Sequence, residues 1–123
     1  MSEVTARTFI LYGTKVDFGK FDTSRFENAE EYINHVYDVI NKVDSPFQMI
    51  YDELSDSHYF GYVIDQAADT EWETELLNTV SFSDLKDKVT TDIRESVDWI
   101  LLVYFGRRAS EFNVDLWILS VYA

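Results

Sequence analysis

From Arg7 to Phe18 the chain places Ile10, Tyr12, Val16 and Phe18 at alternate positions, and its β-branched and aromatic content predicts a partly buried strand. Gly13, inside that run, marks a bulge or a bend. Gly19 to Glu27 reads as a connection, because Asp22, Thr23 and Ser24 favour local side-chain to backbone bonds over a ladder. The period then changes from two to that of a helix. Asn28 is a good N-cap with Glu31 in the capping-box position, and Tyr32, Ile33, Val36, Ile40 and Val43 recur at helical spacing. The helix should end near Val43, since Asp44-Ser45-Pro46 follows and a residue before proline avoids helical dihedrals.

Two apolar, aromatic-rich runs follow, Phe47 to Leu54 and Tyr59 to Gln66, and the four residues between them, Ser55 to His58, predict a hairpin. Ala67 to Val80 is the least determined part. Thr70 to Glu75 reads either as an extended edge segment, with Glu71, Glu73 and Glu75 on one side and Trp72 on the other, or as the start of a short helix. The extended form is favoured, because a helix would set Glu71 against Glu75 and Asp69 against Glu73 at i,i+4. A second helix is expected after Ser81 or Ser83 as cap, with Phe82, Leu85, Val89, Ile93, Val97, Ile100, Leu101 and Tyr104 as its apolar stripe. Gly106 is placed to end it, and Arg107 and Arg108 to complement its dipole. Within it, Trp99 to Phe105 is apolar on all sides and is equally readable as a buried strand. Asp115 to Tyr122 is a last strand. These elements predict a single acidic α+β domain over residues 1–123, an antiparallel or mixed sheet of about four strands with two helices packed on one face.

Charge changes the picture more than composition does. The chain has 23 acidic and 10 basic residues, a net charge of -13. From Val43 to Leu85 there are ten carboxylates (Asp44, Asp52, Glu53, Asp56, Asp65, Asp69, Glu71, Glu73, Glu75 and Asp84) and not one Lys or Arg. Ordinary soluble surfaces intersperse both signs. A polyanion of this kind repels nucleic acid and anionic lipid, so no direct nucleic acid and no membrane are expected as partners, and a basic protein surface is the natural counterpart. With 46% hydrophobic residues the chain has the material for a core, which argues against disorder despite the charge. The lack of cysteine excludes disulfide scaffolds and thiol catalysis and suits a reducing cytosol, so a cytoplasmic location is expected, that of the host cell if the protein is viral. The N-terminus carries no signal-peptide pattern, and the longest apolar run, Trp99 to Phe105, is too short to span a bilayer.

The residues that carry chemistry are few. His35 and His58 stand in no motif with a nucleophile; His58 with Asp56 or Asp52 is a conceivable metal pair, but the alternating oxygen ligands and central glycine of a calcium loop are missing. His35 reads as a surface or boundary histidine. The four glycines are isolated, so no loop cradles a phosphate. Asp52, Glu53 and Asp65 as acid–base carboxylates are outweighed by their reading as solvated strand-end charges. No catalytic residue, cofactor site or metal site is therefore assigned, and the chain is not expected to be an enzyme. Trp72 reads first as a core or lid residue and second as an interface anchor ringed by carboxylates.

In size, acidity, lack of cysteine and the order strand, helix, hairpin, helix, strand, the chain resembles the small acidic proteins that phages encode against bacterial defences, the DNA-mimic anti-restriction and anti-CRISPR inhibitors. That resemblance implies stoichiometric inhibition of a nucleic-acid-binding bacterial protein, with carboxylates occupying its basic channel. The charge distribution itself nominates the contact residues: Asp52, Glu53, Asp56, Asp65, Asp69, Glu71, Trp72, Glu73 and Glu75. Extended, Glu71, Glu73 and Glu75 would project about 6.6 to 6.8 Å apart on one side and imitate a phosphate backbone. The competing expectation is an interaction module, a homodimer among the options, that binds through aromatic rather than charged surface.

Overall fold

The computed structural model describes residues 6–20, 26–68 and 82–122. Strand β1 (Ala6–Val16) is central. It pairs antiparallel with β3 (Ser57–Ala68) on one side and β4 (Asp115–Tyr122) on the other, and β2 (Phe47–Asp52) pairs outside β3, giving one open antiparallel sheet in the order β2-β3-β1-β4. The fold is α+β. Helix α1 (Ala29–Ile40) and helix α3 (Thr91–Ile100) pack on the same face of the sheet: Tyr32, Val36 and Ile40 of α1 and Val97 of α3 share one core with Tyr12, Val16, Met49 and Phe60. A shorter helix, α2 (Phe82–Asp87), adds Leu85 against Ile10. Among the described residues no helix is long and apolar enough to cross a membrane.

The alternation in β1 places Ile10, Tyr12 and Val16 under the helices as expected, whereas Phe18 leaves the strand for a single 3-10 turn (Phe18–Lys20) and joins the core from there. The bulge lies opposite Ile10 and Leu11, where Ile64 of β3 is left unpaired; Gly13 has a different role. It faces Gly61, and a Cβ on Gly13 would overlap the Phe60 carbonyl oxygen and lie 2.5 Å from the Gly61 Cα. The indole of Trp117 crosses this bare patch, donating from Nε1 to the Gly13 carbonyl at 2.9 Å and reaching the Tyr59 ring at 5.9 Å. Phe9, Leu11, Ile50 and Val121 form a second cluster on this opposite face. The sheet is curled, and its edge strands β2 and β4 approach within 8 Å.

Three boundaries differ from the sequence reading, each for a local reason. Helix α1 ends at Ile40, not Val43, because the Asn41 amide leaves the helix to bind strand β2: its Oδ1 accepts from the Met49 N–H at 2.6 Å and its Nδ2 donates to the Met49 carbonyl at 3.0 Å. Val43 is consequently 92% exposed and no part of the stripe. The hairpin loop has four residues but they are Glu53 to Asp56, two positions early, held by Tyr51 OH and Ser55 OH donating to Asp56 and Asp52 at 2.7 Å each. Asp56 turns the chain in the left-handed region at φ 50°, which aspartate tolerates better than most residues. The expected second helix is two helices, because Thr90 breaks it and caps α3, its hydroxyl accepting from the Ile93 N–H at 3.3 Å. Trp99 to Phe105 is helical, not a strand: α3 continues into one π-helical turn (Leu101–Phe105) that Gly106 ends at φ 70° with its N–H on the Leu102 carbonyl.

Candidate interaction surface

The nine residues nominated for contact do not form one patch. Asp52, Glu53 and Asp56 sit together in the β2–β3 turn. Asp65 lies at the far end of β3, roughly 25 Å away at the rise of an antiparallel strand, where it is exposed and accepts from its neighbour's N–H. Asp69, Glu71, Trp72, Glu73 and Glu75, and with them the choice between extended and helical form, lie outside the described residues.

At the turn, Glu53 and Asp56 are exposed and Leu54 between them is 74% exposed. Asp52 is only half-buried surface, so its reading as a freely solvated charge is corrected: Oδ2 accepts from Ser55 and Oδ1 is buried with no hydrogen-bond partner. None of the three carboxylates has a basic side chain within 4 Å among the described residues. The same holds for exposed Glu30 and Asp38 on α1 and for Asp92, Glu95 and Asp98 on α3.

Behind the turn is the one histidine that the sequence left as a metal candidate. His58 is not paired with carboxylates. Its Nδ1 lies 2.7 Å from the Tyr37 hydroxyl, Phe18 meets its ring edge-on at 4.9 Å, and the Tyr51 ring tilts against it at 4.9 Å. Burial lowers the pKa of His58 below the usual histidine value, with Asp56 pulling weakly the other way. Burial, with Tyr51 nearby, raises the Tyr37 phenol, and the hydrogen bond to Asp56 is the leading reason that the Tyr51 phenol is raised. The contact between the Tyr37 hydroxyl and the His58 ring ties α1 to β3. Among the described residues no group of three or more His, Asp or Glu is placed to hold a metal ion. His35 is exposed, with its ring tilted against Phe26 at 5.3 Å, a surface histidine within the surface-or-boundary expectation.

A second exposed surface lies on α3, outside the residues that the sequence nominates. Trp99 is 61% exposed, and Leu102 and Val103 beside it are about half exposed. Asp92, Glu95, Ser96, Trp99 and Ile100 line an open, shallow groove of about 540 Å³ with Phe47 on its wall. The signal was present in the sequence: a run apolar on all sides, once helical against a sheet, must leave one apolar side uncovered. No protein-family model matches the chain, and neither does any curated protein or solved structure.

Proposed function

We propose that this protein is a stoichiometric inhibitor, phage-encoded and acting in the cytoplasm of a bacterial host, that uses its acidic surface to block a nucleic-acid-binding defence protein such as a restriction or CRISPR effector. It works by binding, without catalysis, cofactor or metal. The observation that carries this reading is the β2–β3 turn, where Asp52, Glu53 and Asp56 stand within five residues with no basic side chain within 4 Å among the described residues, in a stretch from Val43 to Leu85 whose sequence contains no Lys or Arg at all. An uncompensated anionic surface of this kind raises the local potential and steers a basic partner to it, so association should be fast and should weaken with salt.

The experiment is capture of targets from a bacterial lysate on the immobilised chain, followed by titration of the captured protein with the combined variant Asp52→Asn, Glu53→Gln, Asp56→Asn. Asparagine keeps an acceptor oxygen at positions 52 and 56 and tolerates the left-handed backbone of Asp56, so the turn is preserved while three charges are removed. Weaker binding with a shallower salt dependence supports the reading. Unchanged affinity and salt dependence would remove the turn from the contact.

A further inference from the structure

The outward face of α3 and its π-helical extension has the form of a docking ridge. On a helical wheel Asp92, Glu95, Trp99, Leu102 and Val103 share one side, opposite the buried Val97 and Leu101, and they extend over about 16 Å at the helical rise. The base within this acidic stretch is withdrawn from it. Arg94 stands four residues before Asp98, the spacing of a helix ion pair, yet its guanidinium lies over the Tyr12 ring at 5.1 Å and reaches the Tyr12 hydroxyl at 3.4 Å. The ridge therefore shows Asp92 and Glu95 beside an exposed tryptophan, with Asp98 at its edge, and among the described residues no basic side chain lies within 4 Å of the three.

We infer that this ridge takes an amphipathic helix of the partner protein, whose apolar seam covers Trp99, Leu102 and Val103 and enters the groove beside Phe47, and whose flanking Lys or Arg residues meet Asp92, Glu95 and Asp98. The inference rests on the proposal that the chain acts by binding a basic protein, and it adds a second contact to that of the β2–β3 turn and names what fills it. Charge complementarity selects the flanks. The mode is helix in groove and not strand addition, because the β2 edge that borders the groove is already closed at Met49: the Asn41 amide occupies both its N–H and its carbonyl. Tryptophan at the centre of such a contact, with carboxylates as a rim, is the arrangement in which one aromatic supplies most of the affinity.

The test uses the full chain and a synthetic amphipathic peptide about 18 residues long with a leucine seam and lysine flanks. Chemical-shift mapping should concentrate the perturbations on 92–103 and Phe47. Trp99→Ala should weaken the peptide at least about tenfold while keeping the parent's melting midpoint, since most of the side chain is in solvent. Asp92→Asn with Glu95→Gln should weaken it and flatten its salt dependence, whereas Glu30→Gln with Asp38→Asn on α1, the same change in charge, should leave it unaltered. No peptide binding, parental affinity in Trp99→Ala, or an equal loss in the α1 pair would overturn the site. The two proposals fail separately: a Trp99→Ala variant that still displaces nucleic acid from a captured target removes this ridge and leaves the inhibitor reading standing.

Discussion

Gly13→Ala is the sharpest perturbation of the fold, because the geometry leaves the added methyl nowhere to go. It would overlap the Phe60 carbonyl oxygen and lie 2.5 Å from the Gly61 Cα, both of them backbone atoms in the β1–β3 ladder. Restoring ordinary contact means parting the two central strands by about 1 Å, which lengthens adjacent ladder hydrogen bonds past useful range, each contributing about 0.5 to 1.5 kcal/mol. The bond from the Trp117 indole to the Gly13 carbonyl, at 2.9 Å, is disturbed as well. Against this, alanine stiffens the unfolded chain and returns about 0.4 to 1 kcal/mol. The net expectation is destabilisation by about 2 to 4 kcal/mol, a fall in Tm on the order of 10 °C for a chain of this size. Equilibrium urea unfolding measures it, with Gly19→Ala as control, since a Cβ there meets nothing closer than an Asp17 carboxylate oxygen at 3.3 Å. Equal midpoints for the two variants would refute the close approach of the strands.

Leu101→Ala should cost about 2 to 5 kcal/mol, because Leu101 is fully buried in the π-helical turn, while Leu102→Ala in the same turn should stay within about 0.5 kcal/mol of the parent; similar losses by urea unfolding would mean the turn is rotated. Asn41→Ala removes both hydrogen bonds to Met49 and should cost about 1 to 3 kcal/mol, with earlier aggregation on heating as the β2 edge opens; unaltered light-scattering onset would show that the Asn41 amide does not protect that edge. His58 has its pKa lowered on folding, so below the ordinary histidine range the unfolded chain binds the extra proton first. Stability should therefore be complete above about pH 6.5 and fall as the pH drops through the folded value, and in His58→Gln that component of the slope should vanish.

The elements that were legible in the sequence are those whose signals are local. Asn28 capping α1, with its side chain on the Glu31 N–H at 2.8 Å, is written in two residues three apart, as is the left-handed Gly106 at the end of the π-helical turn. The stripe Leu85, Val89, Val97 and Leu101 was found as one helix because its period runs on across a break that only the Thr90 cap reveals. What was not legible depends on partners distant in the chain. Nothing next to Asn41 announces that its amide will bind Met49, and nothing next to Gly13 announces Gly61. The same division holds for the candidate surface. The excess of carboxylates was plain from counting, but the structure separates Asp65 from Asp52, Glu53 and Asp56. Which side of Trp99 to Phe105 remains uncovered was fixed by where Val97 and Leu101 meet the sheet.

Competition measures directly whether this anionic surface takes the place of nucleic acid on a basic partner, as proposed. A target captured from bacterial lysate is loaded with fluorescently labelled nucleic acid, and the chain is titrated in at several salt concentrations while anisotropy is followed. The label should be released completely at one equivalent of chain, and the apparent affinity of the chain for its target should fall steadily as salt rises. A target that holds nucleic acid and chain together, with neither weakening the other at any salt concentration, would contradict it.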